Sequence, residues 1–296
     1  MKRLYIMFLA FSLLTGKNMF SQVEENKLDS VLDAILFEDE DLLKLIYEDA
    51  GYQFLYTGLN FNSKSLYAGR SIGLDQFDIT GQVHYFHSSG FNIGIAGVAY
   101  SEFQPKYNTT ILSAGYFHKF KKVPPLSIRA SYQRYFFEEV DSVESSSFNS
   151  SVNFGTSFTI KHFGSSANIS FLIGDEFSKQ IDASIWGSFN LLKFGYSNKL
   201  VFEPEVSVYF GNQTAIYGQF GTDYASYLAY LLGQQVEIFG LMNTEIAFPL
   251  TLSIKNLDLD LGYYLNLPRA LGDEPKIDPV GYWGIGISFL FDLGKK

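Results

Sequence analysis

Apolar side chains recur at every second position along most of this chain. Between Gly281 and Leu293, residues Trp283, Ile285, Ile287, Phe289, Phe291 and Leu293 fall on one side, and Gly284, Gly286, Ser288 and Asp292 on the other. A period of two marks a β-strand with one apolar face. The same alternation is read at Leu59 and Phe61, at Phe77, Ile79, Val83 and Tyr85, and at Phe91, Ile93 and Ile95. It continues at Leu126 to Tyr132, Val152 to Ile160, Ala167 to Ile173, Ile181 to Phe189, Leu200 to Phe210, Ile246 to Ile254 and Leu257 to Leu265. Around Ile111 to Phe120 both faces are apolar, and with that segment and the terminal one the strands number twelve.

No helical periodicity lies between these strands to cover their apolar faces, so the bilayer is the cover the pattern implies. A sheet in hydrocarbon must close on itself, because nothing there satisfies an open edge. The expected fold is all-β: a transmembrane antiparallel up-and-down β-barrel of about twelve strands, preceded by a short helical segment. Connections near 87–90, 121–125, 162–165, 195–198 and 255–257 are short, whereas those near 62–75, 104–107, 139–147, 175–179, 212–235 and 268–280 are mostly longer and more charged. Short periplasmic turns and long external loops give that alternation when both chain ends are periplasmic. Pro204 and Pro249 lie inside proposed strands, where bulges are expected. The stretch 66–73 could pair as a strand of its own, which leaves ten or fourteen strands open.

Composition agrees. Phe (29), Tyr (20) and Gly (26) are abundant for a chain of 296 residues, as aromatic girdles and close-packed strands require, and after the first twenty residues no apolar run is long enough for a spanning helix. Residues 1–22 read as a secretory signal: Lys2 and Arg3, an apolar stretch from Leu4 to Leu14, then small residues toward Ser21. Cysteine is absent, so disulfides, thiolate metal sites and an N-terminal lipid-modified cysteine are excluded. The net charge of −9 arises largely in residues 23–50, which carry 10 acidic and 2 basic residues. There Leu28, Val31, Leu32, Ile35 and Leu36, then Leu42, Leu43 and Ile46, follow helical spacing. This acidic segment reads as a plug, a periplasmic cap or handle for a partner, or a disordered leader, and its amphipathic spacing favours the cap or handle. Residues 51–296 form the barrel.

A cleavable signal, alternating strands and a Phe-rich last strand resemble the single-chain outer-membrane β-barrel proteins of Gram-negative bacteria, over roughly residues 51 to 293. The resemblance implies a location in the cell outer membrane, contact with its lipid, and assembly by the barrel-assembly machinery, which in that family reads the last strand, here Phe289, Phe291 and Leu293. The chain departs from the pattern by continuing to Lys296. The resemblance brings no active site and no cofactor with it.

Projected on the wall, the inward charges are Asp78, Asp182, Glu203, Glu205, Glu245, Asp258, Asp260 and Asp292 against Lys119, Arg129, Lys161 and Lys255. An acidic interior suits a cation-preferring pore; it also suits a non-conducting scaffold or adhesion barrel whose inner charges pair with one another. Tyr224, Tyr227 and Tyr230 recur every three residues in a loop that can fold into the mouth, contact a partner, or pack on its own barrel. A lipid hydrolase or acyltransferase would need a serine, a histidine and an orienting group together, and His84, His87, His118 and His162 lack any such spacing. No metal-ligand spacing, phosphate loop or nucleic-acid patch is present.

Overall fold

In the computed structural model, residues 52–67, 70–71, 76–102, 107–120, 126–137, 148–175, 177–194, 198–216, 235–271 and 276–295 are described. The signal, the segment 23–50 and the tyrosines 224, 227 and 230 lie outside them. The twelve strands are β1 (Tyr52–Asn62), β2 (Asp78–His87), β3 (Phe91–Tyr100), β4 (Tyr107–Lys119), β5 (Leu126–Phe137), β6 (Phe148–Ile160), β7 (Phe163–Gly174), β8 (Phe177–Gly187 with Phe189–Phe194), β9 (Asn198–Phe202 with Glu205–Ile216), β10 (Gln235–Ile254), β11 (Leu257–Pro268) and β12 (Val280–Lys295). Each pairs antiparallel with its sequence neighbours, and β12 pairs with β1 to close the barrel. Residues Leu66–Tyr67 and Arg70–Ser71 pair only with each other, in the first long connection, so they leave the wall count at twelve.

The outer surface is apolar for the reason the sequence suggests. Ile95 is 48% exposed, Ile285 54% and Phe154 48%, and their neighbours along each strand turn inward. Followed from residue to partner round the wall, the register advances by about 16 residues per circuit, which with twelve strands tilts each by about 45° and makes the backbone cylinder about 24 Å across. That is wider than side chains alone fill. A closed antiparallel wall with an apolar exterior is an outer-membrane barrel.

The two prolines behave differently. Pro204 divides β9, as a residue without an N–H should. Pro249 stays in an unbroken β10 opposite Gly262, so no bulge forms there. Its carbonyl accepts from the Glu203 amide at 3.1 Å, which shows that its backbone faces β9. The N–H it lacks would have pointed into the gap that Pro204 opens. The two-sided apolarity of β4 also has a cause: Leu112 faces lipid, while Ile111 (1% exposed) packs inside against Ala96, Val98, Tyr100 and Tyr135.

Candidate functional site

The interior has two unlike halves. From β2 to β7 it is filled: Thr80, Gln133 and Ser151 face inward yet are wholly buried. Tyr135 OH (2.6 Å) and Ser151 Oγ (3.2 Å) both donate to Gln133 Oε1, and Asn153 Nδ2 donates to Ser151 Oγ (3.2 Å) and Ser131 Oγ (3.3 Å). With the apolar knot around Ile111, this makes a packed sector. From β8 round to β1 the inward residues Asp182, Glu205, Asp258, Asp260, Tyr264, Tyr282 and Asn60 remain partly exposed. The inward residues that stay partly exposed therefore cluster on the β8 to β1 side, although Asn243 and Asn266 there are wholly buried, and the charged ones among them are mostly carboxylate.

Four carboxylates on this side, Asp182, Glu205, Glu245 and Asp260, are each held by a neighbour. Ser207 Oγ donates to Glu205 Oε1 (2.5 Å), Thr251 Oγ1 to Asp260 Oδ1 (2.6 Å), and Tyr282 OH to Glu245 Oε2 (3.5 Å). Such bonds fix the oxygens in place. Arg129 on β5 reaches toward this side: its Nη2 donates to Asn168 Oδ1, and Asn168 Nδ2 donates to Asp182 Oδ2 at 2.5 Å. Between Arg129 and Asn168 runs β6, and the guanidinium crosses it over Gly155, where a Cβ would overlap both Arg129 and Asn168. Tyr264 similarly lies across Gly262 and Gly284 and stacks on Tyr282, with ring centroids 4.8 Å apart. Gly155, Asn168, Tyr264 and Tyr282 were not singled out by sequence reasoning. The only available signal was that inward positions on facing strands combine glycine with a long side chain.

The remaining sequence candidates fall in several places. Asp78 is buried and tied down by Asn62 Nδ2 (3.0 Å) and Ser65 Oγ (2.8 Å), which fastens the first long connection to the rim. Glu203 lies in the gap of β9. Asp292 is exposed near the end of β12. Lys161 and Lys255 are corrections: both sit in two-residue turns, exposed, with φ of 55° and 58°, and not on the inner wall. One residue of error in a turn boundary is enough to move a side chain off the wall. Phe289, Phe291 and Leu293 face outward, the two rings 4.4 Å apart.

None of the histidines is arranged as a catalytic base among the described residues. His84 Nε2 meets Gln82 Oε1 at 3.0 Å, its ring lying over Gly94. His87 Nδ1 meets Ser89 Oγ at 2.8 Å within its own turn, without an orienting carboxylate. His118 stands edge-on to Phe120, and His162 stacks on Phe189 with Nδ1 3.1 Å from the Ser188 carbonyl.

No protein-family profile matches the chain, and no curated protein matches it. Solved structures with a similar barrel include a KdgM porin (10% identity, 80% of this chain and 99% of that one, TM-score 0.45). A NanC porin matches at 10% identity, 79% of this chain and 98% of that one, TM-score 0.47. LpxR from Salmonella typhimurium matches at 9% identity, 80% of this chain and 100% of that one, TM-score 0.43. These likenesses lie in the barrel and say nothing about substrate; the strand count and closure stand on the register itself.

Proposed function

We propose that the protein is a narrow, cation-preferring channel of the outer membrane for small solutes or ions, with its conduit against the β8 to β1 wall. The observation that carries this is the one-sided lining: Asp182, Glu205, Asp258 and Asp260 are partly exposed to the interior, and the cationic Arg129 is engaged by Asn168. A monovalent cation passing about 5 Å from one such carboxylate gains about 1–3 kcal/mol at effective dielectric constants of roughly 80 to 20. Single-channel recording in planar bilayers under a salt gradient tests the reading. The variant Glu205→Gln with Glu245→Gln should lower the cation-over-anion permeability ratio by about fivefold or more, since about 1 kcal/mol is that factor. Unchanged selectivity would refute the lining's role.

A second reading rests on the packed β2 to β7 sector, which suits a non-conducting scaffold that presents its external loops. Electrical silence of purified, folded protein would favour it over the channel.

A further inference from the structure

We propose that the outer wall carries a binding site for the phosphates of anionic lipid, with Arg134 and Asn149 forming one half and Lys179 the other. The site is on the outside of the barrel, so it stands whether or not the lumen conducts. Arg134 alternates with Tyr132 (46% exposed) and Phe136 (49%), and Lys179 follows Phe177 (63%) by two residues, so both cations are on the side that meets acyl chains. Arg134 is three residues from the end of β5 and Lys179 two from the start of β8, both at the end of the barrel opposite the turns 161–162 and 255–256. At a rise of about 3.3 Å per residue on strands tilted by about 45°, each is within about 7 Å of that rim. A cation is costly at mid-height on a lipid-facing wall and nearly free at its edge, where headgroups begin.

Both charged groups are held against the wall. Arg134 Nη1 donates to Asn149 Oδ1, and the guanidinium carbon is 6.0 Å from the centre of the Phe136 ring. Lys179 Nζ stands 4.8 Å from the centre of the Phe239 ring, a cation–π contact. Neither cation has a carboxylate partner among the described residues. The backbone of β6 is shaped for the Arg134 half. Phe148 pairs with Gly174 and Ser150 with Ile173, so Asn149 is an extra residue in the ladder, and such a bulge re-aims a side chain. Ser150, which lies opposite Arg134, donates to the same Asn149 Oδ1 at 3.1 Å. With Oδ1 accepting from two donors, Asn149 Nδ2 and the other guanidinium N–H groups are the donors this lipid-facing patch presents.

Charge and surroundings fix the occupant. A guanidinium presents its N–H groups as a fork that matches two phosphate oxygens, a geometry an ammonium lacks. The Lys179 half adds an apolar bed: Phe171, opposite Lys179 in register, stacks on Phe177 with ring centroids 6.1 Å apart, and Phe239 stacks on Phe210 at 6.5 Å. An amphiphile with an anionic head meets both requirements, the phosphate on the cations and the acyl chains on the rings. A soluble anion matches the donors but not the rings. Three strand spacings separate β5 from β8, about 14 Å along the wall, so each half holds its own phosphate.

Native mass spectrometry of the full-length protein, released from detergent micelles containing phosphatidic acid or phosphatidylcholine of identical chains, tests the site. Wild type should take up two phosphatidic acid molecules more tightly than phosphatidylcholine. A basic side chain near an anionic lipid is worth about fivefold in affinity, so Arg134→Gln and Lys179→Gln should each weaken one of the two by about that factor. Asn149→Ala should weaken the same molecule that Arg134→Gln weakens. Lys255→Gln, in a turn at the opposite end, should leave both unchanged. All variants are compared as protein that still migrates as a folded, heat-modifiable barrel. Equal uptake of the two lipids by wild type overturns the site, and so does an equal loss in Lys255→Gln, which would reduce the effect to general charge. An effect of one cation without the other overturns the two-part arrangement. Displacement of phosphatidic acid by an equal concentration of inorganic phosphate would make this a free-anion site and overturn the lipid as its occupant.

Discussion

Gly155→Ala is the substitution that most sharply tests how the interior is built. Arg129 leaves β5, crosses β6 over Gly155, and donates to Asn168 on β7, which holds Asp182 on β8. A methyl at 155 overlaps both the guanidinium stem and the Asn168 oxygen, so one or both must move. Losing a hydrogen bond to a charged donor costs about 1.5–3 kcal/mol, and forcing a methyl into a filled site costs about 1–3 kcal/mol. Because the two effects share one displacement, the expected loss is about 2–4 kcal/mol rather than their sum. Urea unfolding of protein reconstituted in lipid vesicles, read by the fluorescence of Trp186 and Trp283, measures it. Gly81→Ala is the matched control: it faces outward, and its new methyl would find only Leu59 Cδ1 at 3.8 Å, so it should lie within about 0.5 kcal/mol of wild type. In an Arg129→Ala background the Gly155→Ala penalty should fall by about half or more, a coupling of about 1–2 kcal/mol. A Gly155→Ala loss below about 0.5 kcal/mol, or one indifferent to Arg129, would refute the crossing as the reason for the glycine.

Three other outcomes follow from the same geometry. Ile95→Arg places a cation on the lipid face near mid-height and should destabilise the barrel by about 2–4 kcal/mol in vesicle refolding; a neutral result would mean this surface does not meet acyl chains. On the proposed channel reading, Tyr264→Ala, which removes the ring stacked on Tyr282, should raise single-channel conductance by roughly half or more, a geometric expectation for a narrow lumen, and no rise would place any conduit elsewhere. Phe289→Ala with Phe291→Ala removes adjacent outward rings of the last strand, and the fraction of protein appearing as heat-modifiable barrel in outer membranes should drop severalfold while refolding of purified protein into vesicles changes less; equal losses in both would reduce the rings to lipid packing.

How much of this was legible in the chain varies by level. The outward faces of β2, β3, β5, β11 and β12 can be read directly, since a period of two is imposed locally by the pleat and the bilayer demands the same chemistry all round. Strand number followed from counting these segments, helped by connections that are mostly longer at one end, although 175–176, on the longer side, is only two residues. The turns at 161–162 and 255–256 are a limit of that reading: a lysine one residue from a strand end cannot be assigned to wall or turn by alternation alone, and φ decides it.

The sequence alone thus determined an all-β membrane barrel of about twelve strands, with ten or fourteen left open until pairing settled the count, and which residues look toward lipid, all consequences of nearest-neighbour geometry. Only closure of the barrel decided what the inward residues meet. Three successive hairpin registers bring Arg129, Gly155, Asn168 and Asp182 into one line although 53 positions separate the first from the last. Closure also fills one side of the interior around Ile111 and leaves the carboxylates of the other side open. No local pattern encodes that asymmetry, because inward positions carry small and polar residues on both sides and differ only in what the opposing strands place against them.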